Sequence, residues 1–279
     1  NIVYVGSGEG LQRPDLSTGN GIYKSTDAGK TWTHLGLQEG QQIPKIAVDP
    51  NNPDKIFVAV LGHPYGPNPE RGIYRSVNGG KSFEKVLYIN ENVGGDDVDI
   101  DPSDPNTIYV TMWESRQGPW ENGNWTGTGG GIYKSTDGGN TWKKLSKDLP
   151  NNVVQAHIAI APSSPKTLYV AISTPIPNEY GTGSGMGFYR SDDRGEHWKE
   201  VSEDTRPEAK IGGGDLPELA VDPQNEEIVY TTSIVVWRSE NGGKTWKKVL
   251  YVDENTGCSD LSMDMNNPRI LYAAMWDHR

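Results

Sequence analysis

Five ionisable residues occupy equivalent positions in the sequence, each five residues before a turn proline or the methionine that replaces it. They are Lys45, Asp97, His157, Glu218 and Asp260. The residue directly after each one is apolar, and so is the residue two positions further on. This period-two alternation is typical of a half-buried strand. We therefore expect five strands to bring these side chains together as one ring.

A ring of this kind has the residue types that acid–base chemistry needs. Crowded carboxylates raise the pKa of their neighbours and cations lower it, which separates acid from base roles. A glycosidase uses two carboxylates across a sugar-binding cleft, and we predict Asp97 and Asp260 as that pair. The carboxylates held in reserve are Asp96, Asp215, Glu218 and Glu9. The alternative is a solvated channel that tolerates charge, since structural charge networks also shift pKa values.

The strands that carry the ring belong to sequence repeats. An eight-residue motif, Ser-x-Asp-x-Gly-x-Thr-Trp, occurs five times with variations, and we call each copy a box. The boxes begin at Ser25, Ser76, Ser135, Ser191 and Ser239. Asp or Asn can bond local amides, glycine allows positive φ, and the aromatic residue favours the core, so each box predicts a hairpin turn. The boxes lack the later bidentate acid of a calcium loop, so no metal is predicted there.

A second repeat, out of phase with the boxes, is an Asp-Pro turn followed by a strand. Each period of about 50 residues thus holds four strands, which is one propeller blade. We predict one all-β propeller over 1–279, with blades at 43–88, 97–145, 155–202 and 217–251 and partial blades at 1–35 and 260–276. Because the partial blades have three and two strands, we expect the chain to be a fragment of a longer propeller.

Composition agrees with an all-β protein and excludes several functions. The chain has 34 Gly and 19 Pro in 279 residues and no long helical periodicity. A net charge of −11 argues against nucleic acid and anionic membrane surfaces as partners. No apolar run is long enough to insert in a membrane, and Cys258 has no disulfide partner in the sequence. No nucleotide, zinc or redox motif occurs, so no cofactor is predicted.

Long loops are predicted on the face opposite the boxes, because strands alternate in direction along each blade. These loops are 6–20, 61–71, 113–130 and 173–187. They combine aromatic and polar side chains, as sugar-binding clefts do, although the same residues could instead pack the loops together. The predicted binding residues are Trp113, Trp120, Trp125, Tyr65, Tyr180, His63, Glu114, Arg116, Glu9 and Asp215, together with Lys45, His157 and Glu218 of the ring.

The boxes resemble the Asp-box, or bacterial neuraminidase repeat, of sialidases, xyloglucanase-type glycoside hydrolases, sortilin-type receptors and photosystem II assembly propellers. More narrowly, several segments resemble secreted bacterial propellers described as sortilin-like or glycosyl-hydrolase-like. These segments are 3–9, 61–63, 66–68, 248–253 and 271–276. The resemblance implies a propeller that is secreted, periplasmic or exposed on the bacterial cell surface.

Three functions are compatible with these features. The first, which we favour from sequence, is a scaffold module that binds a protein or polysaccharide on its long-loop face without catalysis. The second is a xyloglucanase-like glycoside hydrolase with an acid pair at the channel mouth. The third is a structural subunit of a larger assembly.

Overall fold

The computed structural model describes residues 1–9, 17–63, 65–115, 127–176, 183–202, 204–208, 216–232 and 235–277. Over these residues the chain forms six antiparallel sheets, which are the blades. Blade 1 contains β1 (Val3–Gly6), β2 (Ile22–Ser25) and β3 (Thr33–Gly36); blade 2 contains β4 (Lys45–Val48), β5 (Ile56–Val60), β6 (Gly72–Ser76) and β7 (Glu84–Leu87). Blade 3 contains β8 (Gly94–Ile100), β9 (Ile108–Trp113), β10 (Gly131–Ser135) and β11 (Lys143–Leu145).

The remaining blades continue the same order. Blade 4 contains β12 (Gln155–Ile160), β13 (Leu168–Ile176), β14 (Gly183–Ser191) and β15 (Lys199–Glu200); blade 5 contains β16 (Leu219–Val221), β17 (Val229–Thr232), β18 (Val236–Ser239) and β19 (Lys247–Leu250). Blade 6 contains β20 (Thr256–Met263) and β21 (Leu271–Asp277). Two short 3-10 helices, Gln38–Gly40 and Arg206–Glu208, are the helical elements of the described residues. None of the described helices has the length and apolar character of a membrane span.

The predicted all-β propeller is confirmed, with four four-stranded blades and two partial ones. Within each blade the strands pair in sequence order. The hairpin of β13 and β14 is longer than expected, because pairing extends to Ile176 opposite Gly183. Much of the segment 173–187 that was predicted as a loop is therefore strand.

The Asp-Pro turns are stabilised by the side chain of their own aspartate. In blade 2, Asp49 Oδ1 accepts the N–H groups of Asn51 at 2.9 Å and Asn52 at 3.2 Å. Asp101 does the same for Ser103, and Asp222 does so for Gln224. Local hydrogen bonds of this type favour a turn over extended backbone, so they determine where the innermost strand ends.

Each box folds as a turn closed by its serine and its acidic or amide residue. In the third box, Ser135 Oγ accepts Gly139 N–H at 2.9 Å and donates to Asp137 at 2.8 Å. Asp137 also accepts the backbone N–H of Thr141 at 2.9 Å. Gly139 has φ +90°, and a Cβ there would lie 2.8 Å from the ring of Phe57 in the preceding blade. Glycine is required at this position for both reasons.

The boxes also join the blades. Trp198 of the fourth box is 6% exposed and packs with Leu145 of blade 3, and Trp246 of the fifth box packs with residues of blade 4. In blades 1 to 3, the basic residue before the box reaches the box of the following blade. Lys24 donates to Gly79 O at 2.9 Å, Arg75 to Gly138 O at 2.6 Å and Lys134 to Arg194 O at 2.9 Å. We call these three bonds the blade latches.

Candidate functional site at the channel mouth

The innermost strands place one side chain per blade at the long-loop end of the central channel. Lys45 begins β4, and Glu218 directly precedes β16. Asp97, His157 and Asp260 lie within β8, β12 and β20. The register shifts before Asp97 and before Asp260, and each aspartate then bonds the N–H of the residue that follows it. Bulges of this kind commonly redirect side chains at functional sites.

These side chains line a cavity of about 300 Å³. Its lining contains all five residues of the predicted ring and further residues from blades 1 to 4. The lining residues are Gly6, Gly8, Ile43, Pro44, Lys45, Asp96, Asp97, Gln155, His157, Glu218 and Asp260. Four carboxylates and two cations therefore surround one small volume.

Glu218 joins the two cations of the site. Lys45 Nζ lies 3.9 Å from Glu218 Oε2 and 3.7 Å from Asp97 Oδ1. His157 Nδ1 lies 3.5 Å from Glu218 Oε1, and its Nε2 lies 3.4 Å from Asp96 Oδ2. The contact between Lys45 and Glu218 crosses the channel, because blades 2 and 5 are not neighbours. The network spans the channel as well as lining it.

The charges of the two cations are fixed by these carboxylates. Burial alone would lower the pKa of His157, but Glu218 and Asp96 outweigh that effect and raise it to about 10. Asp97 and Glu218 likewise raise the pKa of Lys45. Both residues are therefore cations at neutral pH. A fixed cation beside a carboxylate favours its ionised form, as in many acid–base sites.

Asp97 serves a structural purpose as well. Asp97 is buried, and its Oδ2 accepts the N–H of Ile158 on the neighbouring blade at 3.0 Å. Asp99 lies one polar position further along β8, and burial and the nearby Asp97 raise its pKa. The bond from Ile158 to Asp97 connects the innermost strands of blades 3 and 4.

The other acids of the mouth differ in access to solvent. Asp260 is exposed, and the Glu218 side chain is 29% exposed. Asp96 is buried, and its Oδ2 is held by the ion pair with His157. Asp96 is therefore less accessible to a ligand than Glu218 or Asp260.

The predicted aromatic binding residues are not equivalent. Trp113 is fully buried and packs with Leu61 and Val154, so it presents no surface to a ligand. The sequence placed it in a loop, whereas it is the last residue of β9. Tyr65 is 52% exposed on the loop face. Trp120, Trp125, Tyr180, Arg116 and Asp215 lie outside the described residues.

The remaining predicted residues hold the loops. Glu114 Oε2 accepts the N–H of Gly129 at 2.8 Å, and Glu9 Oε1 accepts that of Ser17 at 3.3 Å. His63 is partly buried, and burial followed by the charge of Arg71 lowers its pKa. Glu114 and Glu9 thus form hydrogen bonds within the loops, and the binding role of all three residues stays a prediction.

Arg71 is a residue that sequence reasoning missed. Its side chain is almost completely buried, although it precedes an ordinary strand and lies outside every box. Nη1 donates to Asn92 O at 2.8 Å and to Ser115 O at 2.7 Å. Nη2 donates to His63 O at 3.0 Å and to Gly66 O at 3.3 Å. Burial lowers the pKa of Arg71 to about 10, with an opposing effect from Glu114.

Sheets arranged radially around a channel, joined by repeated boxes and carrying ionisable side chains at one mouth, define a β-propeller. The chain belongs to the family described as sortilin, neurotensin receptor 3, whose model matches residues 20–155 and 130–274.

Relatives with described activities are xyloglucanases. Xyloglucanase Xgh74A of Acetivibrio thermocellus is 28% identical over 89% of this chain, which covers 31% of that protein. A xyloglucanase of Hypocrea jecorina is 27% identical over 88% of this chain, again covering 31% of the relative. The chain therefore spans about a third of the length of these curated relatives.

Solved structures show the same fold. The GH74 xyloglucanase of Xanthomonas campestris matches with a TM-score of 0.61 and 18% identity, covering 98% of this chain and 40% of that one. An ancestral GH74 enzyme gives the same TM-score and identity over 99% of this chain and 36% of its own. The solved structures show the fold alone, whereas the xyloglucanases among the sequence relatives favour the glycoside hydrolase alternative over the binding module favoured from sequence.

Proposed function

We propose that the chain is the sugar-binding and hydrolytic propeller of a secreted or surface-exposed glycoside hydrolase that acts on a polysaccharide of the xyloglucan type. The observation that carries the proposal is the cavity at the channel mouth, where four carboxylates adjoin two fixed cations. The xyloglucanase relatives support the choice of reaction and substrate class.

Hydrolysis needs one carboxyl group to protonate the leaving oxygen and one carboxylate to act as nucleophile or base. Glu218 lies between Lys45 and His157, which stabilise negative charge on it, so it suits the second role. Asp260 is exposed beside the same cavity, so a substrate can reach it, and we assign it the first role. The contacts thus favour Glu218 over Asp97 as the partner of Asp260, because both oxygens of Asp97 already accept backbone N–H groups.

The test is release of reducing ends from xyloglucan and other β-glucans by the intact protein and its single variants. We expect Glu218→Gln and Asp260→Asn each to lower kcat by at least about 100-fold, the usual contribution of a general acid or base. Glu240→Gln, which changes an exposed acid within the fifth box on the opposite face, is the matched control and should keep full activity. Asp97→Asn distinguishes the pair predicted from sequence, Asp97 and Asp260, from the pair favoured by the contacts, Glu218 and Asp260. A loss of kcat larger than that of Glu218→Gln would favour the first pair. Equal activity in all variants, or no cleavage of any glycan, would overturn the proposal.

Binding without hydrolysis is the second candidate, and the ion network that spans the channel favours it. A network that crosses the mouth between Lys45 and Glu218 limits how deeply a sugar can enter. In that case the intact protein would retain xyloglucan in affinity electrophoresis without releasing reducing ends. Tyr65→Ala should then weaken retention, because aromatic faces contact the apolar sides of sugar rings.

A further inference from the structure

The guanidinium of Arg71 contacts three segments of the loop face at once. It bonds the loop 61–70 through His63 O and Gly66 O, the segment before β8 through Asn92 O, and the segment after β9 through Ser115 O. Its donors form a planar fork that a lysine cannot reproduce. Arg71 therefore fixes these segments relative to one another.

The segment before β8 leads directly to the acids of the channel mouth. Gly94 and Gly95 begin β8 and pack closely on blade 2, where a Cβ at Gly95 would lie 2.6 Å from Gly72 O. Gly72 follows Arg71 in the sequence. The bulge between Gly95 and Asp97 comes next. A shift in the backbone at Asn92 would thus be transmitted to this bulge.

The acids that follow the bulge depend on its geometry. Asp96 reaches His157 at 3.4 Å, and Asp97 reaches Lys45 at 3.7 Å and Ile158 N at 3.0 Å. Contacts of this length are sensitive to displacements of about 1 Å. Placement of Asp96 and Asp97 is therefore coupled to the loops through the glycine pair.

We propose that Arg71 is the positioning residue of the channel-mouth site, acting through Asn92 and the β8 bulge to place Asp96 and Asp97. The inference rests on the proposed function only for its catalytic consequence. The placement itself is independent of whether the site hydrolyses glycans. Burying a guanidinium costs desolvation, and the four hydrogen bonds to carbonyl oxygens offset part of that cost.

The matched control is Arg75, which lies within β6 near its box end, whereas Arg71 directly precedes β6 at its loop end. Its guanidinium donates to Gly138 O of the next box. Arg71→Ala should increase amide exchange of residues 93–100 by at least tenfold and leave the box at 135–142 unchanged, whereas Arg75→Ala should do the reverse. Ethylguanidinium should restore protection in Arg71→Ala alone.

A second measurement tests the position of Asp96 directly. Since Asp96 helps to raise the pKa of His157, Arg71→Ala should lower that pKa in an NMR titration, and ethylguanidinium should raise it again. If hydrolysis is observed, kcat should fall while KM changes little. Loss of kcat with an unchanged His157 pKa would overturn the positioning role. If the intact protein does not hydrolyse glycans but Arg71→Ala still lowers the His157 pKa, the positioning role stands and only the proposed hydrolase function is overturned.

Arg71→Lys carries the test if the alanine variant does not fold. Lysine keeps the charge but cannot bond four carbonyl groups in one plane. We expect Arg71→Lys to increase amide exchange at 93–100 and to lower the His157 pKa. Both changes should be smaller than in Arg71→Ala. Wild-type exchange and titration in Arg71→Lys, or equal exchange increases on both faces, would overturn the proposal.

Discussion

The box face and the channel mouth use the same repeats in opposite ways. At the boxes, equivalent positions hold similar residues, and each serine bonds the same glycine N–H in its own turn. At the mouth, equivalent positions hold Lys, Asp, His, Glu and Asp, and their ion pairs run between blades instead of closing a local turn. The boxes therefore stabilise the fold on one face, whereas the proposed site lies on the other.

The largest expected effect comes from the box tryptophans. Trp198 is buried against blade 3, whereas Trp32 of the first box is 43% exposed. We expect Trp198→Ala to lower the free energy of unfolding by about 3–5 kcal/mol. Trp32→Ala should cost about 1 kcal/mol or less, as is usual for surface positions. Urea denaturation of the two variants measures the difference, and equal losses would refute the link between box burial and stability.

A smaller effect concerns stability against pH at the mouth. Because the folded-state pKa of His157 is raised to about 10, its contribution to stability is fully present below 6.5 and is lost as the pH rises through 10. Glu218→Gln removes the carboxylate that raises the His157 pKa most, so this pKa should move back toward 6.5. The decline in stability between pH 6.5 and 10 should then flatten. Unfolding curves at several pH values, with an NMR titration of His157, measure both. A decline as steep as in the wild type would contradict this account.

The smallest effect separates a blade latch from an equivalent base without one. Arg75 donates to the next box, whereas Arg238 bonds Tyr230 and Glu240 of its own blade. Arg75→Ala should cost about 1–2 kcal/mol, because it leaves a box carbonyl without this charged donor. Arg238→Ala should cost about 0.5 kcal/mol or less. Thermal unfolding that ranks the two variants in the reverse order would show that the latches do not join the blades.

The repeats explain why so much of the fold could be predicted from the sequence. Two out-of-phase motifs predicted the number of strands per period. Alignment of the repeats on their turn residues then identified five positions, Lys45, Asp97, His157, Glu218 and Asp260, that line one cavity in the structure. Which of these acids reacts was not predictable, since the bond between Asp97 and Ile158 N joins residues 61 positions apart. Spacing within a repeat carries no information about such contacts between blades.

The loop face was less predictable for a related reason. Loops differ from blade to blade, so no repeat reveals their contacts. Trp113 is a residue type that often contacts ligands. However, its pairing with Gly94 makes it the last residue of β9, where its side chain is buried. Nothing in the sequence marks Arg71 as buried, since the adjacent Glu70 bonds Tyr74 and the partners of Arg71 are carbonyl groups, which every residue has.

The bond from Ile158 to Asp97 also bears on how the chain avoids misassembly. The amides of an inner strand that face away from its own sheet form an open edge, and open edges can pair with strands of other chains and start aggregates. Here the carboxylate of Asp97 accepts one of these amides of β12. Since blade 3 precedes blade 4 along the chain, this carboxylate is synthesised before the strand edge that it covers.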